Sequence, residues 1–510
     1  MRGGEMDIQN SVRPHLEGLH VAMIGASQYL YDEETRSLAD AKCEEIAQCL
    51  SESTLVSFGV EYLGLGLEEK QIMGLVKGIN SDPKCVAVMF FGHTFTLTGQ
   101  WVRALRLLNK PVILLDSSTL DKAIEAMVWD DMNLHQLAHG NLELNAALLS
   151  AGLTPMYLMG DYTDVYIHRQ LDWFGRIAMA LVLSREAKIL SWGPTMDGVR
   201  LTYADPFKFG DVFGPMVSPL QPAAIEKVMK EVNSGDITLL WHSWSQKYNV
   251  SECNLLGTSI TEVGLVGNEL CLELAMRRLC EKNNAIAVTT SFENLGNLNL
   301  PGAAMQDMMY DGYGFGPEGH FVVAYLVWLF KLLGAGTKYS GTTLAEDYVL
   351  QPPDMFIAGH MLELCPSTCI SGSKPVLKLA PLNIGSREAV RLVFDIVLGD
   401  STMTSVIYRN GAFRMVVGEV ESIAPPRMPN MHVAKALLRV KNKGELAMYR
   451  RLWMEAMAPH HSALTQIPVW VQQEVARQLK IPCMVIGENT DLGSFQTQMA
   501  TQFFMTNTPL

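Results

Sequence analysis

Cys85-Val86-Ala87-Val88-Met89-Phe90-Phe91 is an unbroken apolar run, and Pro111-Val112-Ile113-Leu114-Leu115-Asp116 is another. Neither alternates apolar with polar side chains, so neither can keep one face in water. Both read as strands covered on two sides, the pattern of a parallel sheet with helices on its faces. The segment around Trp101 to Leu108, between them, is helix-like. Upstream, Val21-Ala22-Met23-Ile24-Gly25 is a strand ending in glycine, followed by a helical stretch from about Glu33 to Leu50. Strand and helix in alternation predict a Rossmann-like layered α/β domain.

Downstream the pattern loosens. Ile237-Thr238-Leu239-Leu240-Trp241 and Ala285-Ile286-Ala287-Val288 read as strands, with a helix from roughly Glu262 to Cys280 between them. Ala303 to Met309 is helical, and Phe321 to Phe330 reads as a buried helix too short to cross a bilayer, which needs about 20 residues. After about residue 340 the texture turns to β. Val406-Ile407-Tyr408-Arg409-Asn410-Gly411-Ala412-Phe413 sets Asn-Gly between two β-prone runs, the strongest short hairpin signal. Strand-like runs cover Phe356 to Leu364 and Val390 to Leu398, and Val471, Val475 and Leu479 mark a helix after Pro468. The expected class is α/β, with two Rossmann-like layered α/β domains at 1–187 and 188–338 and a β-rich, barrel-like domain at 339–510.

A chain of 510 residues is too long for one ordinary core, and 48% hydrophobic residues supply several. The net charge of -13 argues against a nucleic-acid partner, which calls for a basic face. Nine scattered cysteines without a C-x-x-C fit a reducing compartment and exclude a thiolate zinc site. The N-terminus carries Glu5 and Asp7 and no apolar leader. A cytoplasmic protein with no membrane partner is the expectation.

Four places could carry chemistry. Glu318 lies in Gly312-Tyr313-Gly314-Phe315-Gly316-Pro317-Glu318-Gly319, Glu346 in Gly341-Thr342-Thr343-Leu344-Ala345-Glu346-Asp347-Tyr348, and His360 in Gly359-His360-Met361-Leu362-Glu363-Leu364-Cys365-Pro366; His460 and His461 follow Ala458-Pro459. Pro317 suits the first position of a helix with Glu318 in its first turn. Taken alone, that is also how helices are ordinarily capped. Gly314-x-Gly316-x-x-Gly319 matches the dinucleotide fingerprint, but it follows a helical stretch rather than a strand, so we set it aside. The histidines taken alone are as consistent with satisfied core residues as with ligands.

Read in order, these segments resemble the L-arabinose isomerase family along almost the whole chain. Ile24-Gly25-Ala26-Ser27-Gln28-Tyr29-Leu30-Tyr31, His93-Thr94-Phe95 and Met132-Asn133-Leu134-His135-Gln136-Leu137-Ala138-His139-Gly140 come first. Thr289-Thr290-Ser291-Phe292-Glu293-Asn294-Leu295, Leu300-Pro301-Gly302 and the Glu318, Glu346, His360 and His461 segments follow in family order. The resemblance implies a metal-dependent aldose–ketose isomerase of three domains, the first two layered α/β and the last a β-barrel. It implies Glu318, Glu346, His360 and His461 as ligands of a divalent metal, commonly Mn²⁺, with Glu318 and Glu346 also moving protons. Oxygen and imidazole donors without a thiolate suit such ions on chemical grounds.

The resemblance further implies Gln28, His139, Met196, Phe292 and Ile384 at the sugar, with His139 reaching a neighbouring subunit's site in a homotrimer or homohexamer. Core packing is the plain alternative for Met196, Phe292 and Ile384. Two departures border the sugar site. Gly319-His320-Phe321-Val322 stands where the family usually has Gly-Asp-Trp-Lys, and the loop after Tyr348 is shorter and reads Val349-Leu350-Gln351-Pro352-Pro353. His320 is expected on a helix surface or just behind the ligands. The substrate is therefore L-arabinose or a related pentose or hexose; the reading from another class is a non-catalytic sugar-binding protein.

Overall fold

The computed structural model describes residues 18–117, 123–251, 264–293, 295–381 and 388–507. The chain forms two compact units that part between Leu183 and Ser184.

The first unit is built on five parallel strands: β1 (His20–Ala26), β2 (Gly59–Gly66), β3 (Cys85–Gly92), β4 (Val112–Asp116) and β5 (Met156–Met159), in the order β2-β1-β3-β4-β5. Every residue of β3 is buried, as its unbroken apolar run requires. The first helix, Glu33–Ser51, begins where Asp32 accepts a hydrogen bond from the Thr35 amide at 2.8 Å. Gly140 lets the helix Leu137–Ser150 press on the loop after β3, because a Cβ there would stand 2.3 Å from the Thr94 carbonyl oxygen.

The second unit holds three sheets among the described residues. β6 (Lys188–Trp192), β7 (Met216–Leu220), β8 (Ala285–Thr290) and β9 (Gly314–Gly316) form a parallel sheet ordered β7-β6-β8-β9. The later strands are β10 (Thr342–Gln351), β11 (Met355–Gly359), β12 (Val376–Pro381), β13 (Glu388–Val393), β14 (Asp395–Ile396), β15 (Gly399–Arg409), β16 (Ala412–Ile423), β17 (Lys435–Val440), β18 (His461–Thr465) and β19 (Cys483–Ile486). Eight of them make a mixed sheet ordered β14-β17-β11-β10-β18-β15-β16-β19, while β12 and β13 pair with each other. Because β16 also pairs with β17, the strands from β17 through β11, β10, β18 and β15 to β16 follow one another in a ring, giving the barrel-like character expected. The β15–β16 turn is Asn410-Gly411, with Arg409 opposite Ala412 and φ of 52° and 80°. Both values lie in the left-handed region that a two-residue turn between right-twisted strands demands.

The helix Phe321–Gly334 is buried along its whole length and packs on β8 and β9 on one side and β10 and β18 on the other. It explains the glycine-rich stretch before it. A Cβ on Gly314 would meet the Ala324 carbonyl oxygen at 2.0 Å, and one on Gly316 would meet the His320 carbonyl oxygen at 2.3 Å. These glycines sit within a strand and admit a helix; they are packing glycines rather than a loop that cradles phosphates. The element before them is the helix Gly302–Tyr310, as expected, and β9 is no longer than Gly314–Gly316.

One expected strand is a helix. Ile237 to Trp241 lies inside the helix Ser234–Lys247, whose start is fixed by Asn233 accepting from the Asp236 amide at 2.9 Å. Ile237, Leu240, Trp241 and Trp244 then fall on one face and join the core.

Candidate metal and sugar site

Strand register assembles most of the site. In β10, Glu346 is directly opposite His461 of β18 on one side and Gly359 of β11 on the other, and His360 follows Gly359. Three side chains far apart in sequence are thereby placed together by two antiparallel ladders. Donor atoms of Glu346, His360 and His461 lie within 4.8 Å of one another, and so do those of Glu318, His460 and His461. The four expected ligands therefore fall in two overlapping groups that share His461, each able to hold a metal ion.

Glu318 arrives differently from expectation. It is not in a helical first turn: the helix starts at Phe321 with His320 as its N-cap, and Glu318 occupies a turn with φ of +57°. That left-handed conformation is costly for a residue with a side chain, and neighbours hold it there. The Glu318 carbonyl accepts from the Met196 amide at 3.0 Å, and the Gly319 amide donates to the Thr290 carbonyl at 2.9 Å. Gly319 itself has φ of +73°, and a Cβ on it would stand 2.4 Å from the Thr195 Cα. The carboxylate is then held by His460, whose Nε2 is 3.1 Å from Oε2.

Burial sets the electrostatics. His461 is fully buried, and neither ring nitrogen has a partner among the described residues. Burial first, then repulsion from His360, His460 and His320, holds it well below the usual histidine pKa. It is a neutral imidazole with both nitrogens unsatisfied, a costly arrangement without a further partner. His320 is buried rather than on the helix surface, and burial, with a smaller push from His460, takes it down to about 3. Burial also pulls on His360, but Glu363, 2.7 Å from Nδ1, and then Glu346 and Glu318 outweigh it and raise the pKa. The Tyr348 hydroxyl is pushed up by burial and by the Glu346 carboxylate beside it.

Of the expected sugar residues, Phe292 stacks on His360 with ring centroids 6.3 Å apart, and Met196 is tied by its amide to Glu318. A cavity of about 690 Å³ opens beside Met196, lined also by Asp197, Arg200, Tyr408 and Arg409. Gln28 and His139 belong to the first unit: Gln28 is buried just after β1, and His139 is exposed on its helix with its ring 5.1 Å from that of Phe95. Ile384 lies outside the described residues. Sequence reasoning gave no role to Glu363 or Tyr348 and named His460 only as one of a histidine pair. The i, i+3 spacing of His360 and Glu363 just after a strand was a usable signal for one of them; nothing local marks His460 as the partner of Glu318.

The donors fit a divalent cation. They are carboxylate oxygens and imidazole nitrogens with no thiolate, and His461 offers lone pairs that nothing else among the described residues uses.

The comparisons agree along the chain. Models of the L-arabinose isomerase N-terminal, central and C-terminal domains match residues 15–186, 188–336 and 341–479. The L-arabinose isomerase of Cellvibrio japonicus is 31% identical, covering 94% of this chain and 96% of its own. Those of Saccharophagus degradans and Thermotoga neapolitana are each 30% identical, covering 93% of this chain and 95% of theirs. The resemblance drawn from scattered short segments is borne out at full length, and on these matches the chain belongs to the L-arabinose isomerase family, a family of aldose–ketose isomerases.

Proposed function

We propose that the chain interconverts L-arabinose and L-ribulose, with Glu318, Glu346, His360 and His461 holding a divalent cation, Mn²⁺ first among the candidates. The observation that carries the reading is the Glu346 register, which sets this carboxylate against His461 and beside His360. The family relationship supplies the substrate.

The reaction takes a proton from carbon 2 of the open-chain aldose and returns one to carbon 1, through a cis-enediol. When bound, the cation supplies Lewis-acid stabilisation of the negative charge developing on the two sugar oxygens. The protein supplies the proton carriers: Glu346 and Glu318, approaching His461 from different segments, act as base and acid in turn. His460 orients the Glu318 carboxylate, and Phe292, stacked on His360, offers an apolar wall. From the family relationship we assign Gln28, His139, Met196 and Ile384 to sugar binding, with His139 reaching a neighbouring subunit of a homotrimer or homohexamer in the cytoplasm.

Chelator-treated protein is expected to be inactive on L-arabinose and to recover L-ribulose formation when Mn²⁺ is restored. Activity undiminished by complete metal removal overturns the metal's role. A second reading is a different aldose for the same chemistry, favoured by the buried His320 and Val322 where the family usually has an acid and a lysine. A panel of pentoses and hexoses, ranked by kcat/KM, separates the two. A non-catalytic sugar-binding protein is excluded by turnover of any of them.

A further inference from the structure

We propose that Glu363 is a positioning residue: it holds the Nδ1 side of His360, so that the opposite nitrogen, Nε2, is the one presented to Glu346 and His461. The proposal rests on the metal-binding reading above and goes one shell beyond it.

The two side chains are buried, at 3% and 1% exposure, and His360 Nδ1 lies 2.7 Å from Glu363 Oε2. The approach is oblique, so charge more than a linear hydrogen bond joins them. A carboxylate so deep in a fold is costly unless a cation or a donor faces it. The His360 ring supplies that partner through the 2.7 Å contact at Nδ1, which favours a proton on that nitrogen. With Nδ1 occupied, Nε2 is left for the Glu346 and His461 side of the ring. A carboxylate behind a metal-binding imidazole both orients it and makes it a better donor.

The backbone between the two residues is braced in a way that serves this contact. Arg391 Nη1 donates to the Met361 carbonyl at 3.1 Å, and Gln306 Nε2 donates to the Leu364 carbonyl at 3.1 Å. The Cys365 amide donates to Thr343 Oγ1 at 2.8 Å, tying the segment's end to β10, the strand that carries Glu346. Three elements thus fix the turn across which His360 and Glu363 face each other.

The test is Mn²⁺ binding to metal-free, full-length protein, read from the free-ion electron paramagnetic resonance signal, with melting temperature measured in parallel. Glu363→Ala is expected to raise the Kd for Mn²⁺ by about 10–100-fold. Glu363→Gln, which keeps the shape and loses the charge, is expected to raise it several-fold while leaving the metal-free melting temperature unchanged. A wild-type Kd in Glu363→Ala overturns the proposal; if that variant does not fold, an unchanged Kd in Glu363→Gln does so. A lowered metal-free melting temperature with unchanged Kd likewise overturns it, leaving Glu363 a structural residue. Failure of the parent reading looks different: wild-type protein that takes up no Mn²⁺, or His461→Ala that binds it as tightly as wild type.

Discussion

Glu346 has ladder partners on both sides, so sheet geometry places its backbone, and Tyr348 lies beside its carboxylate. Glu346→Gln keeps the shape and the β propensity while removing the charge and the proton-accepting oxygen. It is expected to lower kcat by about 10²–10⁴-fold, the usual worth of a positioned general base. The melting temperature should stay within a few degrees of wild type, and activity above a tenth of wild type would remove Glu346 from the proton path. The residue types and their order were legible in the sequence, because carboxylates and imidazoles recur in family segments. How they converge was not. That Glu346 faces His461 is a matter of register between strands more than a hundred residues apart, and Glu318 owes its position to a left-handed turn that packing imposes on it.

Elements were readable where local chemistry has one outcome. Asn410-Gly411 could hardly be anything but a tight hairpin, and the all-apolar β3 required cover on both faces. Ile237 to Trp241 was misread because a short apolar run suits a strand or a buried helix equally. The deciding feature was the Asn233 cap together with a buried charge network that only a helix could join. From that helix Lys247 reaches Asp307 at 2.8 Å, while Arg277 meets Glu273, Asp307 and Asp311 at 2.7, 3.2 and 2.6 Å. The Asp307 carboxylate is wholly buried, and against that burial Lys247 and then Arg277 hold its pKa below the usual range, so the guanidinium shares its compensation. Arg277→Leu is expected to cost about 3–5 kcal/mol, because it strands buried charges rather than deleting a balanced pair. Urea unfolding measures this; a loss under 1 kcal/mol would mean the acids are neutral in the folded protein.

Over the whole molecule, the buried groups pull stability in opposite directions with pH. In metal-free protein, burial depresses His461, and takes His320 from an ordinary 6.5 to about 3, so unfolding takes up protons as pH falls through that interval. Folding free energy is therefore lost on the acid side, below about 6.5. Glu269 acts in the other sense. Burial, opposed by the Ala304 amide and assisted by the Glu363 charge, raises it from 4.5 to about 8. The folded chain keeps this proton where the unfolded chain has released it. Its contribution is whole below about 4.5, shrinks as pH climbs toward 8 and is then spent. Glu273 is raised as well, by burial first and then by Asp307, and acts in the same direction. The expected curve for metal-free protein falls below about pH 4.5 and above about pH 6.5, with the two effects opposed in between. Glu269→Gln should flatten the alkaline flank between about pH 6.5 and 8 and steepen the acid side between about 4.5 and 6.5, both read from urea midpoints across pH. An alkaline slope identical to wild type would show that Glu269 is already ionised at neutral pH, paired with a group the fold brings closer than its Ala304 contact implies.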